Sequence, residues 1–300
     1  MTHYKNNKFL ELQLRRGKSR RDFFEYQYEG AEGTLEQMRK FTDVNEKQIL
    51  DLGCGYGGGS AYLACNGLKI TAVDNHQYDK KFLKDAITFA NKKGAEARFC
   101  QADAHHLPFK DDIFDIIRLD SVFEHLKEPE IALSECRRVL KSGGLLFISF
   151  PLFYSPYGGH IDDYIKIPWF HVLPDKFVCR IIRRRKSKPG LVTTSYVERL
   201  YLSLNKMSLK KYKRLVRKCA FKELHFEETY FMPHDISLFI NHLKKALADR
   251  SLTQTRKTFT YFNLASFVEF IFLYFLYRLP APLKRRWREF ITSGIRAVLS

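Results

Sequence analysis

Between residues 48 and 150, short apolar runs alternate with longer segments whose apolar positions recur at helical spacing. The runs predict strands over 48–53, 69–74, 96–100, 113–119 and 144–150. The helical segments are 58–66, 78–92 and 129–141. Lys69-Ile-Thr-Ala-Val-Asp74 and Asp115-Ile-Ile-Arg-Leu119 are β-branched and almost free of alternation, as in strands covered on both faces. Lys141-Ser-Gly-Gly144 reads as a helix stop that turns into the fifth strand. This rhythm predicts an α/β architecture: a doubly wound, Rossmann-like parallel sheet with ligands at the C-terminal strand ends.

The rhythm is absent on either side. Residues 1–47 are polar, with helices expected over 8–13 and 33–41, a basic run from Arg15 to Arg21, and the aromatics Phe23, Phe24, Tyr26 and Tyr28. After Pro151 the chain is rich in Pro, Gly, aromatics and His up to Pro189, which reads as a long insertion at the C-terminal edge of the sheet. Helical spacing returns over 208–220 and 235–249. Strand-like runs occupy 223–231 and 290–299. Four segments result: an N-terminal helical cap (1–47), a binding core (48–150), a substrate lid or insertion (151–207), and a C-terminal part (208–300) that carries an apolar helical insertion.

Composition refines this outline. A chain of 300 residues with 45% hydrophobic content and 26 Phe has material for a large, aromatic-rich core. The six cysteines form no C-x-x-C pair, so neither a disulfide framework nor a zinc pattern is expected, and buried reduced thiols are. No apolar h-region follows Met1, so a secretory signal is not expected and a cytoplasmic location is. The net charge of +18 is uneven. Residues 151–300 hold 28 Lys and Arg against 11 Asp and Glu, a balance of +17, and residues 1–150 hold 23 against 22. The second half therefore expects an anionic partner: a phosphorylated substrate, a membrane surface, or a nucleic acid. Leu264 to Arg278 is strongly apolar but shorter than the ~20 residues needed to span a bilayer, and Glu269 interrupts it. It reads as a packed helix, or as an interfacial one at the inner face of the membrane, flanked by Lys284, Arg285, Arg286 and Arg288.

Candidate chemistry begins at Gln48-Ile-Leu-Asp-Leu-Gly-Cys-Gly-Tyr-Gly-Gly-Gly59, where a strand breaks into a glycine turn and enters a helix. Such a turn lets a ligand lie against bare backbone at a helix N-terminus. Asp74 closes the second strand, 21 residues after Gly53, where a carboxylate can accept both ribose hydroxyls of an adenosine. These features fit NAD and S-adenosylmethionine (AdoMet) alike. Further segments separate the two: Phe99-Cys-Gln-Ala-Asp-Ala104, Leu107-Pro-Phe-Lys-Asp-Asp-Ile-Phe-Asp115, Val122-Phe-Glu-His-Leu126 and Glu135-Cys-Arg-Arg-Val-Leu-Lys-Ser-Gly-Gly144. In order and spacing they resemble the motifs of the class I AdoMet-dependent methyltransferases, in the type 11 branch that includes ubiquinone-biosynthesis enzymes. Ser142 departs from the Pro common there.

The resemblance implies a seven-stranded sheet, completed by the C-terminal part, whose last strand is antiparallel, between the fifth and sixth, and AdoMet as cofactor. It also implies roles for matching positions. Asp51 would orient the methionine amino group, Gly53, Gly55 and Gly57 would admit the ligand, and Asp74 with Asn75 would hold the ribose. Asp103 and Ala104 would face the adenine, and Leu119 would line the methionine moiety. His125 is either a site residue or a structural His at a helix start.

Methyl transfer from a sulfonium is chiefly an alignment problem, and a hydroxyl acceptor also benefits from a base. The loop Phe153 to Tyr164 follows the fifth strand and offers His160, with Asp162 and Asp163, as the catalytic set. A metal bound by His160, Asp162 and Asp163 is the other use of these residues, but adjacent loop acids are more often solvated, so no metal is expected. The expected activity is methyl transfer to a small-molecule, glycan or lipid-linked acceptor, at a hydroxyl. An RNA methyltransferase, for which no RNA-binding module is visible, and a non-catalytic nucleotide-binding protein are the alternatives.

Overall fold

The structure is a computed structural model that describes residues 16–75, 81–165, 167–230 and 292–300. Seven strands form one sheet: β1 (Gln48–Leu52), β2 (Lys69–Asp74), β3 (Arg98–Gln101), β4 (Phe114–Asp120), β5 (Leu140–Pro151), β6 (Glu223–Tyr230) and β7 (Thr292–Leu299). Their order is β3-β2-β1-β4-β5-β7-β6. The first five are parallel, and β7 runs antiparallel between β5 and β6. Strand order reverses at β1, so β1 and β4 flank the crevice where such sheets bind ligands.

Helices cover both faces. They are α1 (Arg20–Gly30), α2 (Glu32–Phe41), α3 (Gly58–Cys65), α4 (Phe82–Lys92), α5 (Pro129–Val139), α6 (Asp175–Arg183), α7 (Thr194–Ser203) and α8 (Leu209–Lys218). One face buries Leu133 and Cys136 of α5 with Tyr212 and Leu215 of α8 against β4, β5 and β7. The other packs Leu35 and Met38 of α2 and Leu63 of α3 on Ile49, Ile116 and Val298. Helix α8 forms where Ser208 caps it, its hydroxyl accepting from Lys211 N at 3.1 Å. Leu209, Tyr212, Leu215 and Val216 turn inward at helical spacing.

Several boundaries differ from the sequence reading. The third strand begins at Arg98 rather than 96. Helix α5 ends at Val139, and Lys141-Ser-Gly-Gly144 belongs to β5 rather than to a helix stop. Leu140 pairs with Phe114, yet Leu145 already pairs with Ile116. The extra residues form a bulge, which Gly143 permits with φ +75°. Residues 151–207 contain two helices, α6 and α7, with a core of their own in which Val178 and Ile182 pack on Val197 and Tyr201. All six cysteines are free, but only Cys54, Cys136 and Cys179 are buried; Cys100 and Cys219 are partly exposed and Cys65 is exposed. Among the described residues no helix is long and apolar enough to cross a membrane. The helices expected over 8–13 and 235–249, the start of that over 78–92, the apolar segment 264–278 and the basic residues after it lie outside the described residues.

Candidate active site

Strand β1 ends in the glycine turn, where Gly53, Gly55 and Gly57 all have positive φ. The first two bends serve tight packing as well as ligand access. A Cβ on Gly53 would meet Val122 Cγ2 at 2.2 Å, and one on Gly55 would meet Gln27 Nε2 at 2.5 Å. Gln27 comes from α1, which lies over the turn and donates to Cys54 O at 3.4 Å. Its Oε1 is buried with no protein partner. At the end of β2, Asp74 Oδ2 accepts from Gly55 N at 3.0 Å, fixing the carboxylate beside the turn. Asn75 O accepts from Gln101 Nε2 at 3.0 Å.

Asp51 has a more constrained position than the sequence reading gave it. It is 1% exposed. One oxygen accepts from Ser60 Oγ at 2.5 Å and the other from Arg118 Nη1 at 2.7 Å. Arg118 Nη2 continues to Asp120 Oδ2 at 2.6 Å. Burial disfavours the guanidinium charge, but Asp51 and Asp120 outweigh it and hold Arg118 protonated. With both Asp51 oxygens engaged, the half-exposed Asp120 is the end of this chain that faces solvent. Neither Arg118 nor Asp120 was singled out in the sequence, although both lie on the strand that carries the motif.

Across the sheet, Asp103 Oδ1 accepts from His105 N at 3.0 Å and lies 2.6 Å from His105 Nδ1. Those contacts hold its carboxyl below the usual range. Ala104 and Leu119 are buried. Glycine turn, Asp74, Asp103-Ala104 and Leu119 thus all sit at or just past the C-terminal ends of β1 to β4. The turn, a fixed carboxylate at the end of β2 and the orphan Gln27 oxygen fit an adenosine ligand.

The lid residues divide. His160, at φ +53°, has its ring beside the segment after β4. Its Nε2 lies 3.6 Å from Glu124 Oε1, and its ring centroid is 5.2 Å from that of His125. His125 Nε2 is 3.7 Å from the same oxygen. Burial pushes Glu124 up to about 8 and His125 down to about 4. Burial, with the neighbouring His125, lowers His160 to about 3. Asp163 instead accepts from Lys188 Nζ at 3.2 Å. Asp162 is raised by burial and by Asp163. Among the described residues, the group that converges is Glu124, His125 and His160, not His160, Asp162 and Asp163. Glu124 was missed, and its signal was its position next to His125 in a motif.

Residues 50–148 match the family described as a methyltransferase domain, type 11. A demethylmenaquinone methyltransferase from Clavibacter sepedonicus is 34% identical over 113 residues, 37% of this chain and 43% of that protein. An (S)-coclaurine N-methyltransferase from Thalictrum flavum subsp. glaucum is 28% identical over 124 residues, 41% of this chain and 33% of that protein. The chain thus spans less than half the length of these relatives. The crystal structure of a candidate sarcosine dimethylglycine methyltransferase from Galdieria sulphuraria shares the fold. It has a TM-score of 0.53 at 17% identity, covering 90% of this chain and 84% of that one.

Proposed function

From the premise that residues 50–148 form a class I, type 11 methyltransferase domain, whose cofactor is AdoMet, we propose that the protein methylates a hydroxyl of a small-molecule, glycan or lipid-linked acceptor. AdoMet supplies the reactive sulfonium methyl. Asp74 and the glycine turn hold the ribose and its flank, Asp103-Ala104 the adenine, and Asp51, through Arg118, orders Asp120 at the methionine end. The observation that supports an oxygen acceptor is the polar cluster of Glu124, His125 and His160 between the β4 segment and the lid. Burial keeps both imidazoles neutral at pH 7. A neutral imidazole has a lone pair that can either accept a hydroxyl proton or hold a metal ion that acidifies the hydroxyl. Lid residues Asp162 and Asp163 support the loop that carries His160. The basic second half of the chain favours an anionic acceptor, or one presented at an anionic surface.

Calorimetry with AdoMet and with NAD tests the cofactor. AdoMet binding that Asp74→Ala weakens is expected, whereas NAD binding without AdoMet binding overturns the proposal. For the cluster, a product is first identified by incubating an extract with labelled AdoMet and the protein. His160→Ala then lowers turnover about 100-fold or more with AdoMet affinity intact. Full turnover in that variant removes the cluster from the reaction.

A further inference from the structure

The cluster at Glu124 has a feature that acid–base chemistry leaves unexplained. Glu124 is 3% exposed, and neither carboxylate oxygen has a hydrogen-bond partner. His160 Nε2 is also buried and unpartnered, although the ring is a quarter exposed. Buried carboxylates are ordinarily satisfied, because an unpaired one opposes folding. The three donor atoms point at one another without bonding. Both imidazole nitrogens stand beyond hydrogen-bond distance of Glu124 Oε1, at 3.7 and 3.6 Å, and all three donors lie within 4.8 Å.

An ion seated between them would draw each imidazole–carboxylate pair in by only a few tenths of an ångström. Ligands about 2.05 Å from a tetrahedral ion are separated from one another by about 3.3 Å, and two imidazoles bound through Nε2 place their centroids about 5.2 Å apart. The observed centroid separation is 5.2 Å. His125 also has the support expected of a metal ligand. Its Nδ1 lies 3.4 Å from Ser203 Oγ on α7, leaving Nε2 for the cluster. Two imidazoles and one carboxylate suit zinc or a divalent first-row transition metal rather than magnesium or calcium. Three protein ligands leave coordination positions open, as in reactive rather than structural sites.

We propose that Glu124, His125 and His160 bind one divalent transition-metal or zinc ion, whose open positions take the acceptor oxygen. The binding site stands on its own geometry, and the role rests on the methyl-transfer reading above. Bound to the ion, the acceptor hydroxyl gives its proton to water. Its lone pair then forms the bond to the methyl carbon as the carbon–sulfur bond breaks, and the sulfonium becomes a thioether. Assembly of the site requires the lid, because His160 is 35 residues beyond His125 and reaches it only through the turn at φ +53°.

The test uses the full chain stripped with a chelator and dialysed. Cobalt(II) alone is added and visible absorption followed, and zinc alone is titrated by calorimetry. One equivalent is expected. Glu124→Gln and His160→Asn each weaken it about 100-fold, and Ser203→Ala about tenfold. Asn tolerates positive φ, so His160→Asn leaves the lid backbone unstrained and guards against a folding failure at buried Glu124. Absence of cobalt absorption and zinc heat overturns the site, as does binding that neither variant weakens. AdoMet calorimetry on the same samples separates the two readings. AdoMet binding without metal removes the ion and leaves methyl transfer, and metal binding without AdoMet does the reverse.

Discussion

Arg138 shows how one residue of a motif is explained by its contacts. Its Nε and Nη2 donate to the two Glu135 oxygens at 2.8 and 2.7 Å. Nη1 donates to Phe109 O and Asp111 Oδ1, and Nη2 also to Leu107 O. Glu135 Oε2 in turn accepts from Leu107 N at 2.8 Å. The Glu-x-x-Arg spacing on α5 thus latches the loop 107–111, which leads from the crevice edge at Asp103 into β4. The hydrogen bond from Arg138, aided by that from Leu107 N, holds the Glu135 carboxyl below its ordinary value. A depressed carboxylate contributes stability above its unfolded pKa, and the contribution fades as pH falls through the folded one. For Glu135 it is complete above about pH 5 and lost progressively below the unfolded value of about 4.3. Glu135→Gln should lower stability near neutrality by about 1–2 kcal/mol and flatten the acid limb below pH 5. Urea titrations from pH 3 to 7 read both. An unchanged acid limb shows that the latch does not depend on charge.

At the scale of elements, the contact of α1 with α3 decides how the glycine turn is built. Gly58 opens α3, and a Cβ there would meet Phe24 O at 2.0 Å and Tyr28 N at 2.7 Å, both backbone atoms of α1. Helix propensity alone favours Gly58→Ala by about 1 kcal/mol. Overpacking against immovable backbone opposes it by about 1–3 kcal/mol. The second effect should win, so Gly58→Ala destabilises and loosens α1, read as a lower urea midpoint and faster proteolysis within 20–30. A stabilised variant refutes the close docking. The same contact marks what was legible in the sequence. The glycines, Asp74 and the strand–helix alternation are local signals and led to the crevice. The sheet order, with β7 between β5 and β6, followed from family likeness rather than from periodicity. The docking of α1 on Gly58 and the meeting of Glu124 with His160 join segments 34 and 36 residues apart, and no local pattern encodes such distances. The bulge at Gly143 hid for the opposite reason: glycine pairs look alike at helix stops and in bulged strands.

Over the whole molecule, charge and fold divide the work. The sheet core 48–150 is nearly neutral with its neighbouring cap, whereas the balance after Pro151 is +17. On the described surface part of that excess gathers on α8, where Ser208, Lys210, Lys211, Arg214 and Arg217 line an open cleft. Lys210, Arg214 and Arg217 project from the solvent side of a helix whose other side is locked under the sheet by Tyr212 and Leu215. Such a face acts at a distance: it attracts anions over about one Debye length, ~10 Å at 0.1 M salt, and is silenced at high salt. If the acceptor is presented at an anionic surface, the protein should co-sediment with vesicles of phosphatidylglycerol at low salt and be released at high salt. It should ignore phosphatidylcholine throughout. Reversing three charges together, Lys210→Glu, Arg214→Glu and Arg217→Glu, should lower the bound fraction several-fold while AdoMet affinity stays constant, because the glycine turn and Asp74 belong to the ends of β1 and β2 and none of the three side chains does. Binding that persists in high salt points to apolar insertion instead. Retention on RNA in place of vesicles turns the basic half toward a nucleic-acid acceptor.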